Sequence, residues 1–252
     1  MEPILPFIMA GDPSLSGLPA LLAQLRALGA GTVEVGLPHS DPVADGPVLQ
    51  AAAHRALGAG ASPRRVLEAL AGLPGPDVVL FTYFNPLLQL GEDLEGLLAP
   101  TPVKSLLVVD LPFGEEPAWE ARLRAAGYPL VPLLTPTTPL ERARLLLATR
   151  PDPGPGHPFA QRFAYVVARL GVTGAGQGTD LAPVAQRLEA LKGLTDRPLA
   201  VGFGLDDPAS LERVRALGAV PVVGSALVAA LAGGADPAAF LAPRMPAGLN
   251  EP

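Results

Sequence analysis

Cysteine is absent from the 252 residues. Disulfides, thiolate nucleophiles and cysteine-based zinc sites are thereby excluded. Histidine is scarce: His39, His54 and His157 are far apart or unhelpfully spaced, which speaks against a metal site. Lysine is scarcer still, with Lys104 and Lys192 alone; the other basic residues are arginines. Positive charge is in deficit, with Lys+Arg at 18 against Asp+Glu at 24 and a formal net charge of −6. That balance argues against nucleic acid and anionic membrane as main partners. No stretch approaches the ~18 apolar residues that a membrane span needs. The opening Met1-Glu2-Pro3-Ile4 has an acid where a signal peptide has positive charge, and the apolar run behind it stops at Gly11-Asp12-Pro13. A soluble, cytoplasmic protein is expected.

What is present is apolar surface and punctuation. Apolar residues make up 49% of the chain, enough for a large core, and 252 residues suit one (β/α)8 barrel of roughly 250 residues. Glycine and proline number 28 and 31, close to a disordered composition. Regular apolar segments outweigh that, and many tight βα turns explain it better.

Short apolar runs alternate with amphipathic stretches along the chain. Strands are predicted at Ile4–Ala10, Thr32–Gly36, Val78–Tyr83, Ser105–Val109, Leu130–Leu134, Phe163–Arg169, Pro198–Gly202 and Val220–Val223. Helices are predicted between them, the last starting at Ser225, with Asn85-Pro86 as a turn and 151–161 as a loop insertion. Near-continuous apolar strands separated by helices imply a parallel sheet covered by helices. Eight such units, with no linker between them, predict an α/β fold: a single TIM-barrel domain over residues 1–252. A doubly wound open sheet is the alternative. In a barrel the chemistry lies at the C-terminal ends of the strands.

At that end, Glu34 is set into the second strand. The loop behind it, Gly36-Leu37-Pro38-His39-Ser40-Asp41-Pro42-Val43-Ala44-Asp45-Gly46-Pro47, holds two more acids. A carboxylate at a strand exit is costly to bury unless it is paired or used. One reading is a plain loop in which Ser40 and Asp45 cap the next helix. The other is an acid/base pair. Glu34 would have its pKa raised by desolvation towards working pH, and Asp45 would stay ionised to accept from a ligand N–H. Tyr165, in the sixth strand, can add a phenol to the same pocket or be a core aromatic. Leu37 and Phe203 can wall an apolar ligand.

Gly202-Phe203-Gly204 follows the seventh strand, and Gly224-Ser225 follows the eighth at a helix start. Those two turns are the usual phosphate cradle of this fold. No lysine or arginine stands in them, so binding would rest on backbone N–H groups and the Ser225 hydroxyl. The glycine-rich stretch after the sixth strand is adjacent, and Gly174 can add another N–H.

Taken in order, several segments resemble the tryptophan synthase alpha subunit family. They are Pro6-Phe7-Ile8-Met9-Ala10-Gly11-Asp12-Pro13, the Glu34–Pro47 stretch, Thr82-Tyr83-Phe84-Asn85-Pro86, Asp110-Leu111-Pro112 and Pro136-Thr137-Thr138-Pro139. Further on come Gly171-Val172-Thr173-Gly174, Gly202-Phe203-Gly204 and Val223-Gly224-Ser225-Ala226-Leu227-Val228. The resemblance implies a lyase of amino-acid (tryptophan) biosynthesis that cleaves indole-3-glycerol phosphate by retro-aldol chemistry. It implies Glu34 as the catalytic acid and base, Asp45 on the indole N–H, and Tyr165 beside them. Gly174, Gly202, Phe203, Gly204, Gly224 and Ser225 would hold phosphate, and Leu37, Phe203 and Tyr83 would surround indole. It further implies no cofactor in this chain and a beta subunit partner carrying pyridoxal phosphate. The expected assembly is an α2β2 heterotetramer met through Asp41, Pro42, Asn85 and Pro112. The chain departs from the family in His39, where an aromatic is usual, and in Phe163 and Ala168, which replace a commoner Tyr and Ser. Two other classes remain at this point: a non-catalytic subunit that only activates a beta partner, and another phosphate-binding barrel, a flavin oxidoreductase or a sugar-phosphate isomerase.

Overall fold

The computed structural model of the chain describes residues 2–112, 114–150, 152–154, 156–168, 182–202 and 207–246. Its strands are β1 (Leu5–Met9), β2 (Thr32–Gly36), β3 (Asp77–Thr82), β4 (Val103–Val108), β5 (Leu133–Leu134), β6 (Ala164–Val167), β7 (Leu199–Gly202) and β8 (Val220–Val223). The helices of the first half are α1 (Leu18–Ala27), α2 (Pro47–Gly58), α3 (Pro63–Leu70), α4 (Phe84–Leu90), α5 (Leu94–Leu98) and α6 (Pro117–Ala125). Those of the second half are α7 (Leu140–Thr149), α8 (Phe159–Arg162), α9 (Ala182–Lys192), α10 (Pro208–Ala216), α11 (Ser225–Ala232) and α12 (Pro237–Leu241).

Every strand pair is parallel, and the order is β4-β3-β2-β1-β8-β7-β6-β5. The two ends of that order meet at one bridge. The Leu106 N–H donates to the Pro129 carbonyl at 3.1 Å, and the Leu106 carbonyl accepts from the Val131 N–H at 2.8 Å. The result is a nearly closed (β/α)8 barrel. The fifth strand is shorter than the predicted Leu130–Leu134 because Pro129 and Pro132 have no N–H to give a ladder.

Alternation along the strands divides the core in two. Leu5, Phe7, Met9, Val79, Phe81, Leu107, Tyr165, Ala200, Val220 and Val222 belong to the inner cluster. Ile4, Ile8, Val33, Val35, Val78, Leu80, Leu106, Val166, Leu199 and Val201 belong to the outer one, under the helices. Glu34, between Val33 and Val35, therefore faces inward, as does Gly36.

Two predicted boundaries are corrected. Asn85-Pro86 is no turn: α4 begins at Phe84, and Pro86 sits in its first turn, where a missing N–H costs nothing. Pro139 holds the cap position of α7, and the Thr138 hydroxyl accepts from the Thr135 N–H at 3.1 Å. Within the 151–161 segment, residues from Phe159 form the short helix α8, and α12 was not foreseen. α8 lies at the N-terminal mouth, where the Ala160 carbonyl accepts from the Ser105 hydroxyl and Phe159 stacks on Phe163 at 4.9 Å. That side is away from the C-terminal strand ends. Among the described residues no helix is long and apolar enough to cross a membrane.

Candidate active site

Glu34 is held on β2 between Phe7 of β1 and Val79 of β3. Its side chain is buried, with 1% of the residue exposed, and Oε1 has no hydrogen-bond partner among the described residues. Desolvation alone pushes its pKa up to about 8. A buried unpaired carboxyl is destabilising, and one poised near neutral pH suits proton transfer.

Asp45 is buried too. It is not a helix cap: Gly46 holds the cap position of α2 without a side-chain bond, and Ser40 is exposed. The plain-loop reading therefore fails. The Asp45 N–H donates to the Pro42 carbonyl at 3.0 Å, and Gln50 Nε2 donates to the Asp45 carbonyl at 2.9 Å. Burial raises its carboxyl pKa to about 6, against a hydrogen bond from Tyr83 that lowers it. The Tyr83 hydroxyl gives its proton to that carboxylate and accepts from the Ala44 N–H at 3.0 Å. His39 packs against the Tyr83 ring, centroids 5.0 Å apart. Tyr83 was expected beside indole; its hydroxyl is committed to holding Asp45.

Tyr165 is buried on β6. Its pKa is raised well above the ordinary value, first by burial and then by the charges of Glu34 and Asp45. The phenol stays neutral and couples to both carboxylates. It lies directly over Gly202, where a Cβ would overlap the hydroxyl. Gly202→Ala is therefore expected to displace the phenol, at an overpacking cost of about 1–3 kcal/mol. A thermal melt equal to that of the parent, with unchanged turnover, would contradict this packing.

Leu37 is corrected. It continues the outer face of β2, giving its N–H to the Phe81 carbonyl and packing in the outer cluster, so it walls no ligand pocket. The inner aromatics are Phe7 and Phe81, an edge-to-face pair at 5.2 Å. Phe7 is the ladder neighbour of Glu34, and its ring fills the space beside Gly36. Strand alternation was the signal that could have found them.

Gly224 touches the same Phe7, whose Cβ would stand 3.5 Å from a Cβ there. Gly224 and Ser225 open α11, whose first-turn N–H groups have no intrahelical partner, beside the Phe7 wall. Gly174, Phe203 and Gly204 lie outside the described residues. On the rim, Asp41, Asn85 and Pro112 are exposed, and Pro42 is buried, shaping the loop instead. Val43 and Leu88, at 66% and 52% exposed, add apolar area to that rim. Among the described residues no three His, Cys, Asp or Glu side chains gather as a metal-ligand set.

The geometry matches known proteins. A family model described as tryptophan synthase alpha chain covers residues 2–242. The tryptophan synthase alpha chain of Synechococcus sp. (strain CC9902) is 43% identical over 235 residues, 91% of this chain and 83% of that one. That of Prochlorococcus marinus (strain MIT 9313) is 42% identical over 238 residues, 92% of this chain and 82% of that one. Among solved structures, Mycobacterium tuberculosis tryptophan synthase superposes with a TM-score of 0.83 at 27% identity, covering 96% of this chain and 91% of that one. A structure of the tryptophan synthase a2b2 complex from Pyrococcus furiosus gives 0.79 at 28% identity, covering 97% and 96%. With the family model spanning nearly its whole length, the chain belongs to the tryptophan synthase alpha chain family.

Proposed function

We propose that the C-terminal mouth of this barrel cleaves indole-3-glycerol phosphate to indole and glyceraldehyde 3-phosphate, with Glu34 moving the protons and Asp45 holding the indole nitrogen. Protonated Glu34 gives its proton to C3 of the indole ring. Positive charge develops across the ring to its N–H, where ionised Asp45 accepts a hydrogen bond and stabilises it. Glu34, now a carboxylate, takes the proton of the side-chain hydroxyl. The carbon–carbon bond to C3 breaks, its electron pair returns to the ring, and the hydroxyl carbon leaves as the aldehyde. The net change is one proton passed from oxygen to carbon. Tyr165 bounds the pocket as a neutral phenol. Phe7 and Phe81 supply apolar surface, and Gly174, Gly202, Phe203, Gly204, Gly224 and Ser225 hold the phosphate. The observation that carries this reading is Glu34 itself: buried, with one oxygen unpaired among the described residues, and poised at about pH 8.

The partner is a beta subunit carrying pyridoxal phosphate, in an α2β2 assembly, with no cofactor in this chain. The Pyrococcus furiosus relative is described as an a2b2 complex. Support in this chain comes from the rim, where the loop that holds Asp45 also exposes Asp41 and Val43. A partner docking there would press on the loop that aims Asp45. A cytoplasmic setting suits a phosphorylated substrate.

The test is indole release from indole-3-glycerol phosphate, with and without a beta subunit. Slow release alone and at least about tenfold stimulation by the partner are expected, since ordering one catalytic group is worth that much. Equal turnover in both conditions would remove the docking role. No indole in either would remove the reaction.

A further inference from the structure

Helix α2 leaves the acidic loop at Gly46 and makes its main contacts with β1 and α11. Its buried residues are Leu49, Ala52, Ala53 and Ala56. Three alanines make a smooth face. Such a face allows close approach but offers few side chains to interlock, so packing alone defines sliding and rotation weakly. Alanine packing therefore leaves the register of this helix to some other contact.

That contact is at the far end of the helix. Arg55 donates from Nε and Nη2 to Oδ1 and Oδ2 of Asp12, at 2.9 and 2.7 Å. Asp12 sits in the turn after β1 with its side chain only 4% exposed, while the Arg55 side chain is 47% exposed. The two-pronged geometry fixes both distance and rotation, which a single contact would not. Next to it the backbone of Gly11 lies on the same helix end. A Cβ there would stand 2.8 Å from the Ala61 Cβ and 3.1 Å from the Ala56 Cβ, and φ is +90°.

We propose that Asp12 and Arg55 are a positioning pair for the cleavage: by setting the register of α2 on β1 they aim Asp45, just before the helix, at the indole nitrogen. The proposal rests on the role given to Asp45 above. From Pro47 to Arg55 the helix is a lever of about 12 Å, at 1.5 Å per residue. Loss of the brace lets the helix shift, and a displacement of about 1 Å at a catalytic group costs on the order of 10²-fold.

The experiment is steady-state indole release by the full chain, in five variants. Arg55→Met and Asp12→Asn are each expected to lower kcat about 10- to 100-fold with KM within about threefold, because the phosphate turns and the aromatic wall are untouched. Arg55→Lys keeps the charge and the fold without the fork, and is expected to recover only part of that loss. The deciding measurement is Arg55→Met placed in an Asp45→Asn background. If the brace acts through Asp45, the second change costs no more than about twofold. A further 10- to 100-fold loss there would overturn the proposal and leave the reading of Asp45 standing. Full kcat in Arg55→Lys and Arg55→Met, with only a lower melting temperature, would overturn it as well. Wild-type turnover by Asp45→Asn alone would overturn both the proposal and the reading on which it rests.

Discussion

Glu34→Gln is expected to lower indole release by about 10²–10⁴-fold, the range of a positioned general acid–base. The amide has nearly the shape of the carboxyl and can occupy the same place on β2 between Phe7 and Val79. What it loses is the proton to give and the capacity to take one back. The parent enzyme should also lose activity above about pH 8, as Glu34 surrenders the proton that C3 needs. The observed midpoint belongs to the coupled site rather than to one residue. Near-normal turnover in Glu34→Gln would sink the mechanism.

The same substitution has an opposite effect on stability. The folded pKa of Glu34 is raised from 4.5 to about 8. The folded chain thus binds more protons than the unfolded chain between those values, and stability falls as pH rises through that window. Glu34→Gln removes this slope, so its denaturant midpoint should exceed that of the parent by more at pH 8 than at pH 5. The gain is at most about 5 kcal/mol, at 1.36 kcal/mol per pKa unit. The unmet hydrogen bonds of a buried amide cancel part of it. A more stable and nearly inactive variant is the signature of a residue retained for chemistry at the expense of the fold.

The barrel was legible because its strands are apolar on both faces and its helices are punctuated by glycine and proline. Thr32–Gly36 and Val220–Val223 have the predicted bounds. β5 is shorter than its apolar run because Pro129 and Pro132 deny it a ladder. Glu34 and Asp45 were legible as acids at a strand exit, where only use or pairing justifies burial. The wall around them was legible in part. Leu37 is apolar and close behind Glu34, but a period of two puts it on the face of Val33 and Val35. The same count would have turned Phe7 and Phe81 inward. The Tyr83 bond to Asp45 and the Arg55 bond to Asp12 join residues far apart in the chain, and no local pattern announces them.

Asp45→Asn is expected to lower indole release by about 10²–10³-fold, the loss that follows removal of one preorganised electrostatic contact to developing charge. The argument turns on charge rather than shape. An asparagine oxygen can still accept from the Tyr83 hydroxyl, and its backbone can keep the bond from Gln50, so the loop need not move. The indole N–H can still find an acceptor. What disappears is the full negative charge facing a ring that turns cationic in the transition state. The pH profile separates this from simple displacement. In the parent, turnover should fall below about pH 6 as the Asp45 carboxylate takes up a proton. In Asp45→Asn that limb should vanish while the fall above about pH 8 remains, because Glu34 still titrates. Tyr83→Phe supplies the matching control. It removes the hydrogen bond that lowers the Asp45 pKa and keeps the carboxyl, so the acid limb should move to higher pH rather than disappear. An acid limb that persists unchanged in Asp45→Asn would assign it to another group and end the case for Asp45 as the charge that meets the indole cation.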